Sequence, residues 1–377
     1  MSRVEDIDRR PGPVVILVVA ALVMGGFLLT RVRSAPPEPP PETGRSLESG
    51  TGVVSVDLIW DAARPRNPPA APVRTHSRLM VAGGGRVELL DVDPLAFYLG
   101  PGTPDDLPLT RPLVAVRGGA VGVSGETAVF LADDSRVAPV DLAPATSVAV
   151  GPEGGVWVYH RNRREGPYID LVSTLDGSPL RDRRPVPPGI LPLGGSTEGL
   201  FFGLFGRIRF EDLGGRGVDL LGARTVLASD GRFVVVTIGD CASAGPDGCG
   251  LRFGPVDDLS ELDLGPGRLP SIPVAALSPD RDRLALWVVY ADRLSMVVVD
   301  LANGDAAVAR TFSSELRPRP VAWAPDGSTV FFVDPGDPGL VWSFQPGEEL
   351  AEGGPVRRLA TRFPRIESMV VGADGRA

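Results

Sequence analysis

One arrangement recurs along this chain: a short apolar strand, a tight turn built on Asp-Gly or Pro-Asp-Gly, then a second apolar strand. The clearest copy is "VAWAPDGSTVFFVDP" at Val321–Pro335. Beside it stand "VAALSPDRDRLALWVVY" (Val274–Tyr290), "TVLASDGRFVVVTIGD" (Thr225–Asp240) and "SVAVGPEGGVWVYHR" (Ser147–Arg161). The chain closes on "SMVVGADGRA" (Ser368–Ala377), and weaker copies read "GVSGETAVFLADD" (Gly122–Asp134) and "GGSTEGLFFGL" (Gly194–Leu204). Aspartate in such a turn bonds its own backbone, and glycine supplies the positive φ that the turn needs. Val, Phe and Trp on the returning strand suit a pleated, buried surface.

The clearest copies lie about 45 to 50 residues apart, and a third strand often follows, as in "LSMVVVDLANGD" at Leu294–Asp305. Amphipathic helical patterns are nearly absent. Several strands in a repeat of about 45 residues describe the blades of a β-propeller. The expectation is an all-β propeller over residues 53–377 with about seven blades, within a range of six to eight. A ring must close on itself, because an unpaired blade edge is a liability. The strands that complete the last blade are therefore expected from the N-terminal side, at "VVSVDLIW" (Val53–Trp60) or "RLMVAGGGRVELLDVD" (Arg78–Asp93).

The two consecutive units from Val274 to Gly347 resemble the Pro-Asp-Gly repeats of TolB-like and WD-repeat-like propellers. The resemblance is patchy elsewhere. In the first unit, Pro279-Asp280-Arg281 has arginine where the family favours glycine. What the resemblance implies is a fold, since such propellers include scaffolds, binding proteins and domains attached to enzymes.

Ahead of the repeats stands "PVVILVVAALVMGGFLLT" (Pro13–Thr30), uncharged and almost wholly apolar. As a helix it reaches about 27 Å, close to the hydrocarbon thickness of a bilayer. It is longer than the core of a cleaved signal peptide, and "TRVRSAPP" follows where a cleavage site would stand. The expectation is one transmembrane signal anchor over 13–31, after a cytoplasmic tail at 1–12. Arg3, Arg9 and Arg10 against Arg31 and Arg33 bias the orientation only slightly. Residues 32–52, including "SAPPEPPPETGRS", read as an extended proline-rich stalk. The propeller then lies outside the cytoplasm, at the cell membrane of a bacterium.

Composition narrows function chiefly by exclusion. The net charge is −9, and nothing resembles a nucleic-acid motif. The only histidines are His76 and His160, which argues against histidine-rich metal sites and against a catalytic triad. No cofactor or metal is expected. Cys241 and Cys249, in "DCASAGPDGCG", are placed to form a disulfide, which persists only in an oxidising compartment.

Candidate sites read mostly as structure. Asp230, Asp280, Asp326 and Asp374 sit in turns, one per blade, so they do not converge on a substrate. "DPGDPG" (Asp334–Gly339) has too few ligands for calcium. His160 ends a strand without a nominated nucleophile, and Trp157, Trp287, Trp323 and Trp342 fall on strands and suit core packing. Gly83-Gly84-Gly85 reads as a hairpin turn rather than a nucleotide loop. Arg161, Arg163, Arg164, Arg181, Arg183 and Arg184 flank one strand and would form a cationic patch for an anionic polymer or lipid head group. The leading expectation is a binding or scaffolding module of the cell envelope, with an envelope protein or anionic polymer as partner. A carbohydrate-active hydrolase or lyase, and a sensor signalling through the N-terminal tail, are the alternatives.

Overall fold

The hairpin Arg283–Tyr290 and Arg293–Asp300 shows how this sequence makes its layers. Six consecutive residues of each strand are buried. A strand with one wet face alternates apolar and polar residues; a continuous apolar run requires cover on both faces. Successive side chains point oppositely. Leu284, Leu286 and Val288 join a cluster with Leu227, Val235 and Leu251, while Ala285, Trp287 and Val289 join Val321, Val330 and Phe332. Each sheet is thus a wedge between two others, and neither face is stable without its neighbour.

The computed structural model describes four strands within 53–100 by their backbone and, with side chains, residues 113–372 apart from short stretches and a few strand positions. The first four strands are β1 (Val53–Trp60), β2 (Val73–Gly83), β3 (Arg86–Leu90) and β4 (Leu95–Gly100). One four-stranded sheet follows as β5 (Leu113–Val116), β6 (Gly119–Ser124), β7 (Thr127–Ala132) and β8 (Val140–Pro144). The next comprises β9 (Ser147–Val150), β10 (Gly155–Asn162), β11 (Gly166–Ser173) and β12 (Arg184–Pro185). Then come β13 (Ile190–Ser196), β14 (Gly199–Leu204), β15 (Arg207–Asp212) and β16 (Gly217–Leu220). A fourth is β17 (Ala223–Asp230), β18 (Phe233–Ile238), β19 (Gly250–Pro255) and β20 (Ser260–Leu262). A fifth is β21 (Ala275–Leu277), β22 (Arg283–Tyr290), β23 (Arg293–Asp300) and β24 (Ala306–Ser313).

The remaining strands are β25 (Val321–Trp323), β26 (Val330–Val333), β27 (Val341–Phe344), β28 (Val356–Ala360) and β29 (Ser368–Ala373). They share one nine-stranded sheet with β1 to β4. Here the ring closes. β29 pairs antiparallel with β4, from Ser368 opposite Gly100 to Ala373 opposite Leu95. β4 pairs with β2, and β2 with β1. The expected N-terminal closure is present, and both nominated segments belong to the closing sheet. The strand directly beside β29 is nevertheless "LAFYLG", which no turn signal had marked.

Over the described residues the protein is an all-β, six-bladed propeller, one blade short of the expected seven and within the expected range. The difference has a specific cause. β1 runs parallel to β28, with Val56 opposite Leu359 and Asp57 opposite Ala360, and this short ladder merges two fans into one sheet. That sheet accordingly presents two strands, β25 and β29, at the inner rim. Among the described residues no helix is long and apolar enough to cross a membrane. The expected anchor, tail and stalk lie outside the described residues.

Cys241 follows β18 and Cys249 precedes β19, and the two form a disulfide with a Cα–Cα distance of 4.8 Å. The bond closes the connection at the mouth of a hairpin whose ladder already reaches Ile238 opposite Gly250. Replacing both cysteines by alanine is expected to lower stability by about 2.5 kcal/mol on the chain-entropy model. Urea unfolding with and without reductant measures this: reductant should shift the midpoint of the native chain and leave that of the double variant unchanged.

Candidate functional site

The inner strands β5, β9, β13, β17, β21, β25 and β29 each pair on one side only, and they neighbour one another in that cyclic order. Their free edges enclose an axial channel of about 590 Å³. Leu113, Val150, Leu227, Ala275, Val321 and Met369 contribute to its wall. Packing at the rim is close. A Cβ added at Gly195 would stand 2.5 Å from Cδ1 of Trp157 on the neighbouring blade, which is why this inner strand carries glycine there.

Among the described residues lining the channel, Asp230 is the only charged side chain. Its Oδ2 accepts a hydrogen bond from Nε of Arg281 at 2.6 Å. Asp230 ends β17 and Arg281 lies in the turn after β21, so the pair ties two consecutive blades. Asp280 accepts from the Ser278 hydroxyl and from the Asp282 amide, and Asp326 accepts from the amide and hydroxyl of Ser328 at 3.0 and 2.8 Å. These carboxylates build their own turns. Asp374 lies outside the described residues.

The arginine in the Pro-Asp-Gly position is now explicable. Arg281 has φ 67°, matching Gly231 at 58° and Gly327 at 71° in the equivalent turns. The turn keeps its left-handed geometry despite the side chain, which costs an L-residue about 1–2 kcal/mol. Both partners of the ion pair are more than a third exposed, so the pair returns no more than about 1 kcal/mol. Arg281→Gly is therefore expected to be close to neutral. Arg281→Ala, which keeps the strain and loses the pair, should be about 1 kcal/mol less stable than Arg281→Gly. Chemical denaturation of the two variants side by side checks the order.

The arginines expected to form a cationic patch are distributed around β11. Arg161 near the end of β10 lies opposite Pro167, and Arg184 on β12 lies opposite Ile169, so the two strands do flank β11. Arg183 bonds Asp170 at 3.2 Å and lies 3.9 Å over the Tyr168 ring. Arg184 forms a two-pronged pair with Glu211 of the next blade at 2.5 and 3.0 Å, and covers Phe202. Arg181 donates to the carbonyl of Leu213 at 2.5 Å, again across blades. Arg163 and Arg164 lie outside the described residues. In the β11–β12 turn, the hydroxyl and amide of Ser178 hold the Asp176 carboxyl below the usual carboxylate range.

The other nominated residues serve packing. Trp287 and Trp323 are buried and donate to carbonyls of Arg319 and Ala276 at 2.8 and 2.9 Å. Trp342 donates to Oδ2 of Asp334, whose Oδ1 accepts from the Gly336 and Asp337 amides, so "DPGDPG" is a self-satisfied turn. His160 packs on Tyr168 at 5.1 Å. Gly83 stands opposite Arg86 in the β2–β3 hairpin, as the three-glycine run implied. Sequence reading missed the Asp230–Arg281 tie and a largely buried Arg319–Glu367 pair, because both join residues remote in the chain.

No family model and no curated relative matches the chain. Among solved structures, a chain from the crystal structure of a mitotic checkpoint complex aligns with TM-score 0.53 at 14% identity, covering 74% of this chain and 89% of that one. TolB from Acinetobacter baumannii aligns with TM-score 0.45 at 13% identity, covering 85% of this chain and 82% of TolB. At such identities the first likeness shows the fold alone.

Proposed function

We propose that this propeller is a binding or scaffolding module for a protein partner, held at the outer face of a membrane by the segment Pro13–Thr30. One observation carries the reading. The channel wall offers aliphatic side chains and free strand edges, and its one charged side chain, among the described residues, is already held by a guanidinium. Such a wall supplies contact surface rather than a poised acid and base. The closed ring fixes its loops on a rigid frame, where binding residues are best placed. The disulfide supports an oxidising location, and the uncharged stretch supports an anchor. An anionic polymer at residues 181–184 would have to compete with Asp170 and Glu211, which favours a protein partner.

The test is affinity capture with the detergent-solubilised full chain, beside the same chain lacking residues 1–46. A specific protein retained by both forms supports the reading. Hydrolysis or elimination of an envelope glycan by either form overturns it.

A further inference from the structure

The two ends of the ring differ in what they expose. In an antiparallel four-stranded sheet, the connection between the second and third strands and the one leaving the fourth strand emerge at the same end. The β16–β17, β18–β19, β20–β21, β22–β23 and β24–β25 connections therefore share a face. On it Leu221 is 75% exposed and Ile272 is 52% exposed, large aliphatic groups on two successive blade-to-blade connections. Cys241 of the disulfide lies on the connection between them in blade order.

Beside Cys241 and Ile272 opens a cavity of about 470 Å³, separate from the axial channel. Its apolar wall includes Leu269, Leu294 and Leu316, all fully or partly buried. Arg268, Arg317 and Glu315 line it as well. Arg317 has no carboxylate within ion-pair distance among the described residues. Among the described residues the carboxylate that Arg268 reaches is that of Asp292, at 3.8 Å and on a side chain that is 90% exposed. Two of the cavity's three charged residues are thus guanidiniums, set against the single carboxylate of Glu315, on a protein whose net charge is −9. The hairpin that overhangs the cavity turns through Ala291 at φ 44° and Asp292 at φ 63°. Positive φ at both central residues is what a two-residue hairpin turn requires.

We infer that this lateral cavity docks a partner's peptide segment in which an aliphatic or aromatic side chain adjoins a carboxylate. The apolar side chain enters between Leu269, Leu294 and Leu316. The carboxylate is received by Arg317, with Arg268 beside it, and guanidinium forks suit that acceptor. Ile272 adds apolar cover at the rim, and the disulfide fixes the wall at Cys241. The inference rests on the binding-module reading and assigns it a surface.

The test uses the full chain in detergent micelles and a defined panel of fluorescein-labelled, end-blocked hexapeptides. One set centres on Leu-Glu, Phe-Glu, Leu-Asp or Phe-Asp; the matched set carries Lys in place of the acid. Anisotropy titration is expected to show saturable binding of acidic–apolar peptides, at least tenfold tighter than the Lys set. Arg317→Glu should lower affinity at least tenfold and Ile272→Asp at least fivefold. Leu175→Asp, on the opposite face, should change neither, and native unfolding midpoints should verify that each variant folds. Absence of saturable binding across the panel overturns the inference, as does binding that Arg317→Glu leaves intact. Self-association abolished by Ile272→Asp, seen by sedimentation, also overturns it by making the occupant a second copy. If peptides fail while affinity capture still retains a specific protein, the docking site falls and the binding-module reading stands.

Discussion

Trp287→Ala is expected to lower the stability of the propeller by about 3–5 kcal/mol, the range for truncating a buried aromatic side chain. Trp287 is fully buried on β22. Its ring meets Phe332 of the next sheet edge-on at 5.8 Å and Phe312 of its own sheet at 5.7 Å. Edge-to-face contacts of this kind add to the area term. Its indole N–H also satisfies the carbonyl of Arg319 at 2.8 Å, on the connection leading into the next blade. Alanine would leave both a cavity between wedges and a carbonyl without its donor. Trp287→Phe keeps most of the volume and loses the hydrogen bond, so its cost should be about 1–2 kcal/mol. Thermal unfolding should show the alanine variant melting on the order of 10 °C lower. Equal losses for the two variants would show that the hydrogen bond, rather than the packing, dominates.

The second large effect is expected at Glu367, which immediately precedes the closing strand β29. Its carboxylate is only 8% exposed and takes both oxygens to Nη1 of Arg319 at 2.8 and 2.9 Å, while Arg365 donates to the same carboxylate. Arg319 itself is 16% exposed, so this pair is weakly screened. Removing one partner of a buried pair strands the other charge and costs about 3–5 kcal/mol. Arg365 is largely exposed and contributes little. Glu367→Met should therefore destabilise the chain by about 3 kcal/mol, and Arg319→Met similarly. The double variant, Arg319→Met with Glu367→Met, should lose clearly less than the two single losses summed. Hydrogen exchange should show the loosening first in β29 and its partner β4. A fully additive double variant would mean that the two groups act independently.

Much of the architecture was legible because the turns carry their chemistry locally. Pro325-Asp326-Gly327 announces a hairpin through an aspartate that bonds Ser328 and a glycine at φ 71°, both properties of the tripeptide itself. The doubly covered strands were equally plain, since "RLALWVVY" has no polar alternation. The cysteine pair was readable for the same reason of proximity. What escaped reading depends on residues that meet only in three dimensions. β4 carries no turn signature that would mark it as the neighbour of β29. The merging of two fans rests on two residue pairs between β1 and β28, so blade count was beyond the repeat period. Arg184 looked like free positive charge until Glu211, on the next blade, came to meet it. Arg281 looked like a broken motif until its φ proved the same as that of the glycines.

The lacing of β29 against β4 has a consequence during synthesis. A nascent chain can complete each interior fan as its strands emerge, yet β4 waits for a partner that is translated after every other described strand. Until Ser368–Ala373 arrives, the assembly is an open arc with an unsealed strand edge at one end and an uncovered apolar layer beside it. A stop codon even slightly before Ser368 should therefore yield an aggregation-prone product rather than a slightly smaller ring, although nearly every wedge has already been made.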